Sequence, residues 1–137
     1  MIKLIVGGRG SGKTKMLIDR INEAAATSKG SVVCLDKTLK LTYDIKNTVR
    51  LVDMDQYYVN SFDRFEGFVL GILAGNYDIT DVFVDSILKV GGPEKDIEGF
   101  AVMCAQLDEC LKDRDINLVF TVSIDKEKLP ESLYKFI

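Results

Sequence analysis

The chain has 137 residues, 47% of them apolar and 28% charged, the proportions of an ordinary globular domain with room for one core. This excludes a mostly disordered chain, a collagen-like chain and a disulfide-dense miniprotein. With 18 Lys+Arg against 21 Asp+Glu the net charge is −3, so there is no broad cationic surface for duplex nucleic acid, and none is expected as a partner.

Strand and helix patterns alternate along the chain. Ile2 to Val6 is a short run, apolar but for Lys3, as in a buried parallel strand. From Lys13 to about Ala26, Leu17, Ile18, Ile21, Ala24 and Ala25 recur at helical spacing, and Gly30 supplies a stop. Ser31–Leu35 reads as a second strand, Lys37–Lys46 as polar and irregular, and Thr48–Val52 as a third strand. Asn60 or Ser61 can cap the next helix, with Asp63 suited to its first turn. Its stripe of Phe62, Phe65, Phe68, Val69, Ile72 and Leu73 ends at Gly75-Asn76. Asp81–Asp85 is a fourth strand, and Gly91-Gly92-Pro93 a joint that places proline in the first turn of a helix. Ile97, Phe100, Ala101, Cys104, Leu107 and Leu111 mark the buried face of that helix. Asn117–Val122 is the fifth strand, and the tail reads as a loop leading into a short edge strand.

Strands separated by helices imply an α/β fold with a mainly parallel sheet of about five strands and helices on both faces. No boundary interrupts residues 1–137, which are expected to form a single domain. The binding face lies beyond the carboxyl ends of the strands: Gly7 onward, Asp36-Lys37, Asp53 to Asp55, Asp85-Ser86 and Ser123 to Asp125.

Residue types narrow the chemistry. The chain has no His, so imidazole metal sites, Ser-His-Asp triads and His general bases are absent. Cys34, Cys104 and Cys110 form no C-x-x-C pair and are expected to be reduced, buried thiols acting as small hydrophobes. No apolar run approaches the roughly 20 residues that cross a bilayer, and Met1–Val6 lacks a signal-peptide pattern. The expected location is the cytoplasm, with no membrane insertion.

Gly7-Gly8-Arg9-Gly10-Ser11-Gly12-Lys13-Thr14 fits G-x-x-x-x-G-K-[ST] at every fixed position, after a predicted strand and opening a predicted helix. A polyphosphate needs many donors and little side-chain bulk, so glycines let the backbone N–H groups converge on it. The helix N-terminus adds partial positive charge. Lys13 is placed to reach the β- and γ-phosphate oxygens, and the Thr14 hydroxyl to coordinate Mg²⁺. The phosphate-binding residues are then Gly8, Arg9, Gly10, Ser11, Gly12, Lys13, Thr14 and Lys15. A glycine-rich turn in a flavodoxin-like fold, with a solvated Lys13, is the bland alternative.

With this loop as its Walker A motif, the sequence resembles the P-loop NTPases, which implies their three-layer α/β/α fold and Mg²⁺ with ATP as ligands. Val82-Phe83-Val84-Asp85 matches the second element, a buried strand whose Asp holds the metal. The resemblance makes Lys13 and Asp85 the catalytic pair and Thr14 and Asp85 the metal pair. No N-K-x-D base-reading motif, L-S-G-G-Q signature or arginine-rich lid is present; Asp96-Ile97-Glu98-Gly99 spells D-x-x-G by coincidence.

In the division of P-loop ATPases with an additional strand beside the loop, that strand ends in a polar residue near the γ-phosphate. Thr121 and Ser123 are candidates, with ordinary strand residues as the alternative. The last strand is expected between the loop strand and the Asp85 strand, with the other side of the loop strand as the alternative. That division also places a glutamate next to the metal Asp, where this chain has Ser86-Ile87-Leu88-Lys89. No general base is therefore identifiable; Glu94, Asp53 and Asp55 could swing in, with solvated loop acids as the alternative reading of each. The loop Ile87–Gly92 is expected to respond to the γ-phosphate. The chain is also similar to small single-domain bacterial ATP-binding proteins, some loosely labelled as related to twitching-motility ATPases. The expected function is Mg²⁺-dependent ATP binding with slow or partner-stimulated hydrolysis. The partners would be a nucleoside triphosphate and an unidentified protein. The alternatives are a nucleoside-type small-molecule kinase holding its acceptor with Asp36, Asp53 and Asp55, or a non-hydrolysing nucleotide-dependent binding module.

Overall fold

The computed structural model describes residues 1–37, 41, 43–93 and 95–137. Five strands, β1 (Ile2–Gly7), β2 (Ser31–Asp36), β3 (Arg50–Asp53), β4 (Ile79–Val84) and β5 (Asn117–Ser123), form one sheet in the order β1-β5-β4-β2-β3. Every pairing is parallel. The three long helices are α1 (Lys13–Thr27), α2 (Phe62–Gly75) and α3 (Ile97–Leu111). The expected fold class is therefore observed, and β5 does lie between the loop strand and the Asp85 strand.

Register divides the side chains between two cores, because residues paired across parallel strands share a face. Val119, Phe83, Cys34 and Leu51 stand opposite one another in succession, and they pack with Leu17 and Ile21 of α1. On the other face Leu4, Leu35, Val82, Val84, Leu118 and Phe120 pack beneath α2 and α3. The α2 stripe buries Phe62, Phe65, Val69 and Leu73. Phe65 and Phe100 both meet Phe120, Phe65 edge-on at 5.8 Å, a geometry that aromatic rings favour.

Local signals set most boundaries. Ser61 caps α2, its hydroxyl accepting the Arg64 N–H at 3.1 Å. The D-x-x-G string is a helix cap: the Asp96 carboxylate accepts the Gly99 N–H at 2.9 Å. Pro93 consequently lies upstream of α3, outside its first turn, because Asp96 supplies a better start. The expected edge strand in the tail is absent. Residues Lys126–Lys128 and Glu131–Phe136 are instead 3-10 turns, and Leu129, Leu133 and Phe136 are buried against the core on the α2/α3 face. Pro130, which has no N–H, precedes the second turn, and docking of these three side chains overrides strand pairing. Part of the polar Lys37–Lys46 segment, residues 38–40 and 42, lies outside the described residues.

Candidate functional site

The carboxyl ends of β1, β5, β4 and β2 bring the predicted residues together on the α1 side of the sheet. Thr121, Asp85 and Asp36 each lie two positions beyond Val119, Phe83 and Cys34, so all three face the same way. The loop between β1 and α1 closes over this edge. Gly10 and Gly12 have φ of 80° and 82°, a region that side-chain-bearing residues avoid. A Cβ on Gly7 would collide with the Ser11 side chain, so the loop can fold back only on a bare backbone.

Lys13 is buried, and its ammonium donates to the Gly8 carbonyl at 2.9 Å and to Ser11 Oγ at 3.4 Å. The positive charge thus sits in the concavity of the loop. Helix α1 begins without a side-chain cap, and Met16 N–H is bonded to the Gly12 carbonyl at 3.1 Å. The amides of Lys13, Thr14 and Lys15 precede that bond, in the turn where helical N–H groups have no intrahelical acceptor. Arg9 and Ser11 are exposed on the loop. The Lys15 ammonium pairs with Asp19 at 3.2 Å on the outer surface of α1, so only its amide faces the loop.

Asp85 is held from two sides. The Thr14 hydroxyl donates to its carboxylate at 3.3–3.4 Å. Thr121 Oγ1 donates to Asp85 Oδ1 at 2.5 Å and accepts the Ser86 N–H at 2.6 Å. Thr121 is fully buried, so its hydroxyl is committed to orienting Asp85. Of the two sensor candidates, Ser123 is the one exposed beyond it, in register with Gly7. The sequence could not separate the two, because which strand hydroxyl faces Asp85 depends on register. Both bonds at Asp85 are compatible with a hard cation. An octahedral Mg²⁺ at about 2.1 Å from its oxygens places neighbouring ligands roughly 3 Å apart, close to the Thr14–Asp85 separation. Among the described residues no group of three Cys, Asp or Glu side chains could hold a metal alone. A Mg²⁺ here would take one or two protein oxygens and complete its shell with phosphate and water. The loop, the uncapped helix and this pair therefore fit Mg²⁺ with a triphosphate.

The other acids are engaged. Asp55 pairs with Lys37 at 2.6 Å. Asp53 accepts the Asp55 N–H at 3.0 Å and caps a 3-10 turn over Met54–Tyr57. Asp36 is buried and accepts the Leu41 N–H at 3.2 Å. Glu94 lies outside the described residues. Asp125, expected on the binding face, comes close to the loop itself. A Cβ on Gly8 would stand 3.3 Å from Asp125 Oδ1, so a negative charge borders the glycine-rich loop.

The cysteines divide. Cys34 and Cys104 are buried as expected, but Cys110 is exposed on the outer side of α3. Burial raises the Cys34 thiol pKa well above the usual range, and the Asp36 and Asp85 carboxylates add to it. Burial, helped by Asp108, pushes Cys104 up to about 12. Loop Ile87–Gly92 begins with a 3-10 turn, and Ile87, Leu88 and Val90 are buried. No described helix is long and apolar enough to cross a membrane.

No family model matches this chain, and no curated protein matches it. Among solved structures, that of C. elegans PCH-2 is similar, with a TM-score of 0.52 at 18% identity. The similarity covers 98% of this chain and 33% of that one, so the chain spans about a third of its neighbour's length. At that identity the likeness is one of fold alone.

Proposed function

We propose that residues 1–137 form one P-loop domain that binds Mg²⁺ and ATP and hydrolyses ATP slowly or on stimulation by a protein partner. The observation that carries this reading is the 3.3 Å approach of the Thr14 hydroxyl to the Asp85 carboxylate beside the buried Lys13. The fold likeness to C. elegans PCH-2 extends over 98% of the chain, loop included.

The loop amides from Gly8 to Lys15 orient the phosphates, and Lys13 exchanges its bonds to Gly8 and Ser11 for phosphate oxygens. Thr14 and Asp85 hold the metal, which when bound offsets charge that develops on the β- and γ-phosphoryl oxygens. Thr121 fixes the Asp85 carboxylate, and Ser123, exposed at the end of β5 opposite Gly7, would meet the γ-phosphoryl group. No carboxylate follows Asp85, and Asp53 and Asp55 are committed to a cap and an ion pair. Those engagements account for slow intrinsic turnover and weigh against a kinase whose acceptor rests on Asp36, Asp53 and Asp55.

Calorimetric titration of Mg-ATP into wild type and Lys13→Ala, with Mg-GTP alongside, tests the reading. Wild type should bind Mg-ATP, and the variant, shown folded by circular dichroism, should lose about a hundredfold in affinity, as expected for losing a charge-assisted phosphate contact. Equal binding by both proteins would remove Lys13 from the site. Turnover assays then separate an ATPase from a binding module that holds nucleotide without hydrolysis.

A further inference from the structure

Strand β1 stands at one end of the sheet order, with β5 on one side and no strand on the other. Its bonds to β5 show which backbone groups face the open side. The Met1 amine donates to the Ile116 carbonyl at 2.6 Å, and the Met1 carbonyl accepts the Leu118 N–H at 2.8 Å. At the other end the Gly7 carbonyl accepts the Ile124 N–H at 3.2 Å. Alternate residues of a parallel strand bond to the same neighbour, so Met1, Lys3, Ile5 and Gly7 face β5. Ile2, Leu4 and Val6 therefore turn their N–H and C=O groups outward, and among the described residues none bonds to them there.

Water does not reach the middle of this edge. Leu4 is 1% exposed and Ile2 4%, because the turn Glu131–Phe136 lies against β1 and α3. Leu129, Leu133 and Phe136 pack into the same core as Ile2 and Leu4. The backbone bonds of the turn stay within the tail: Leu133 N–H to the Pro130 carbonyl at 3.0 Å and Ile137 N–H to the Tyr134 carbonyl at 3.2 Å. The tail thus covers the edge with side chains and pairs none of it. Buried backbone groups are nearly always bonded, and leaving them unbonded costs stability, so this is a cover that a pairing strand can displace.

We propose that the β1 edge is a pairing surface for a second copy of this chain, closed in the monomer by residues 129–136. A two-fold axis through Leu4, perpendicular to the sheet, sets β1 antiparallel to β1 of the second copy. Leu4 then faces Leu4, and each Ile2 faces Val6 of the other copy. Each such pair exchanges two N–H···O bonds, so every outward group of Ile2, Leu4 and Val6 is used. These three side chains stay on the α2/α3 side in both copies. Lys3 comes opposite Ile5 of the second copy, so like charges do not meet. Self-complementarity of this kind is what a two-fold interface requires, and the two five-stranded sheets join into one. Pairing requires no nucleotide, so it can be measured independently of the ATP reading.

The test is light scattering of the full chain across about a hundredfold range of protein concentration, on which dimer formation depends. Leu133→Ser weakens the cover and should form dimers at roughly tenfold lower concentration than wild type. Where circular dichroism shows that variant unfolded, Leu133→Ala takes its place. The Ile2, Leu4 and Val6 amides should gain protection from hydrogen exchange as the dimer forms. Val6→Pro removes an outward N–H that β5 does not use, and added to the Leu133 variant it should leave a folded monomer. A folded Leu133 variant that stays monomeric at every concentration would overturn the proposal. So would dimers that leave these amides unprotected or that persist with Val6→Pro. Protection independent of concentration would overturn it too, since the tail itself would then be pairing as a strand.

Discussion

Removing one oxygen atom, in Thr121→Val, tests how Asp85 is held. Thr121 is fully buried, and its hydroxyl makes two bonds of 2.5 and 2.6 Å, to Asp85 Oδ1 and from the Ser86 N–H. Valine keeps the shape but leaves a partly buried N–H without an acceptor and Asp85 Oδ1 with only the longer bond from Thr14. Losing a hydrogen bond to a charged group costs about 1.5–3 kcal/mol; taking about 2 kcal/mol, a chain of this length should melt roughly 6–8 °C lower. The chain has no tryptophan, so urea unfolding followed by circular dichroism is the suitable assay. Thr121→Ser retains both bonds and loses one buried methyl, about 1 kcal/mol. Stability alone cannot distinguish a positioning role from packing, so the second readout is the Mg²⁺ concentration that half-saturates ATP binding. It should rise roughly tenfold in Thr121→Val, the scale of changes that misorient a metal ligand, and stay near wild type in Thr121→Ser. Valine and serine variants with the same Mg²⁺ dependence would refute the reasoning.

Other perturbations follow from the same geometry. Asp125→Asn removes a negative charge bordering Gly8 and should tighten Mg-ATP binding about threefold at low salt, less at high salt because the carboxylate is exposed; calorimetry at two ionic strengths checks both. Gly12→Ala forces a side chain into φ 82° and should cost about 1–2 kcal/mol, read from urea unfolding, besides weakening nucleotide binding. A thiol reagent added to the native chain should modify Cys110 alone, with Cys34 and Cys104 reacting only on unfolding; mass spectrometry after limited labelling shows which. Cys104 also sets a pH dependence. Above its ordinary value of 9.0 the unfolded chain gives up the proton that the folded chain keeps until about 12, so its contribution to stability is lost as pH rises from 9.0. Between about pH 8 and about pH 10, Cys104→Ala should lose less stability than wild type does.

Elements were legible where burial and local chemistry agreed. Ile2–Gly7 and Asn117–Ser123 are mostly apolar runs with no exposed residue in the first and exposed residues only at the two ends of the second, and Phe62, Phe65, Val69 and Leu73 follow the helical period while Ser61 caps them. Pro93 misled because the chain runs on through the strained Lys95 before Asp96 starts the helix. The tail misled because what decides it is a tertiary fact, the docking of Leu129, Leu133 and Phe136, which leaves no period in sequence. At the site, the glycines and Lys13 announce themselves by spacing. The roles of Thr121, Asp36 and Asp125 arise only when parallel register sets β5 and β2 beside β4 and turns the end of β5 toward Gly8.

The same register bears on turnover. Asp36, Asp53 and Asp85 share the α1 face at the ends of the neighbouring strands β2, β3 and β4; what distinguishes them is prior engagement. Asp36 accepts the Leu41 amide, Asp53 accepts the Asp55 amide, and Asp55 carries the Lys37 ammonium. For one of these acids to orient a water it must give up such a bond, at about 1–3 kcal/mol, or roughly ten- to a hundredfold in rate. A partner that competes for Lys37 would release Asp55 and recover part of that factor. Lys37→Ala mimics such release, and because the pair is over a third exposed the fold should lose well under about 1 kcal/mol. If ATP turnover then rises severalfold and falls back in Lys37→Ala/Asp55→Asn, Asp55 is the latent base; a rate unmoved by Lys37→Ala would strike it from the candidates.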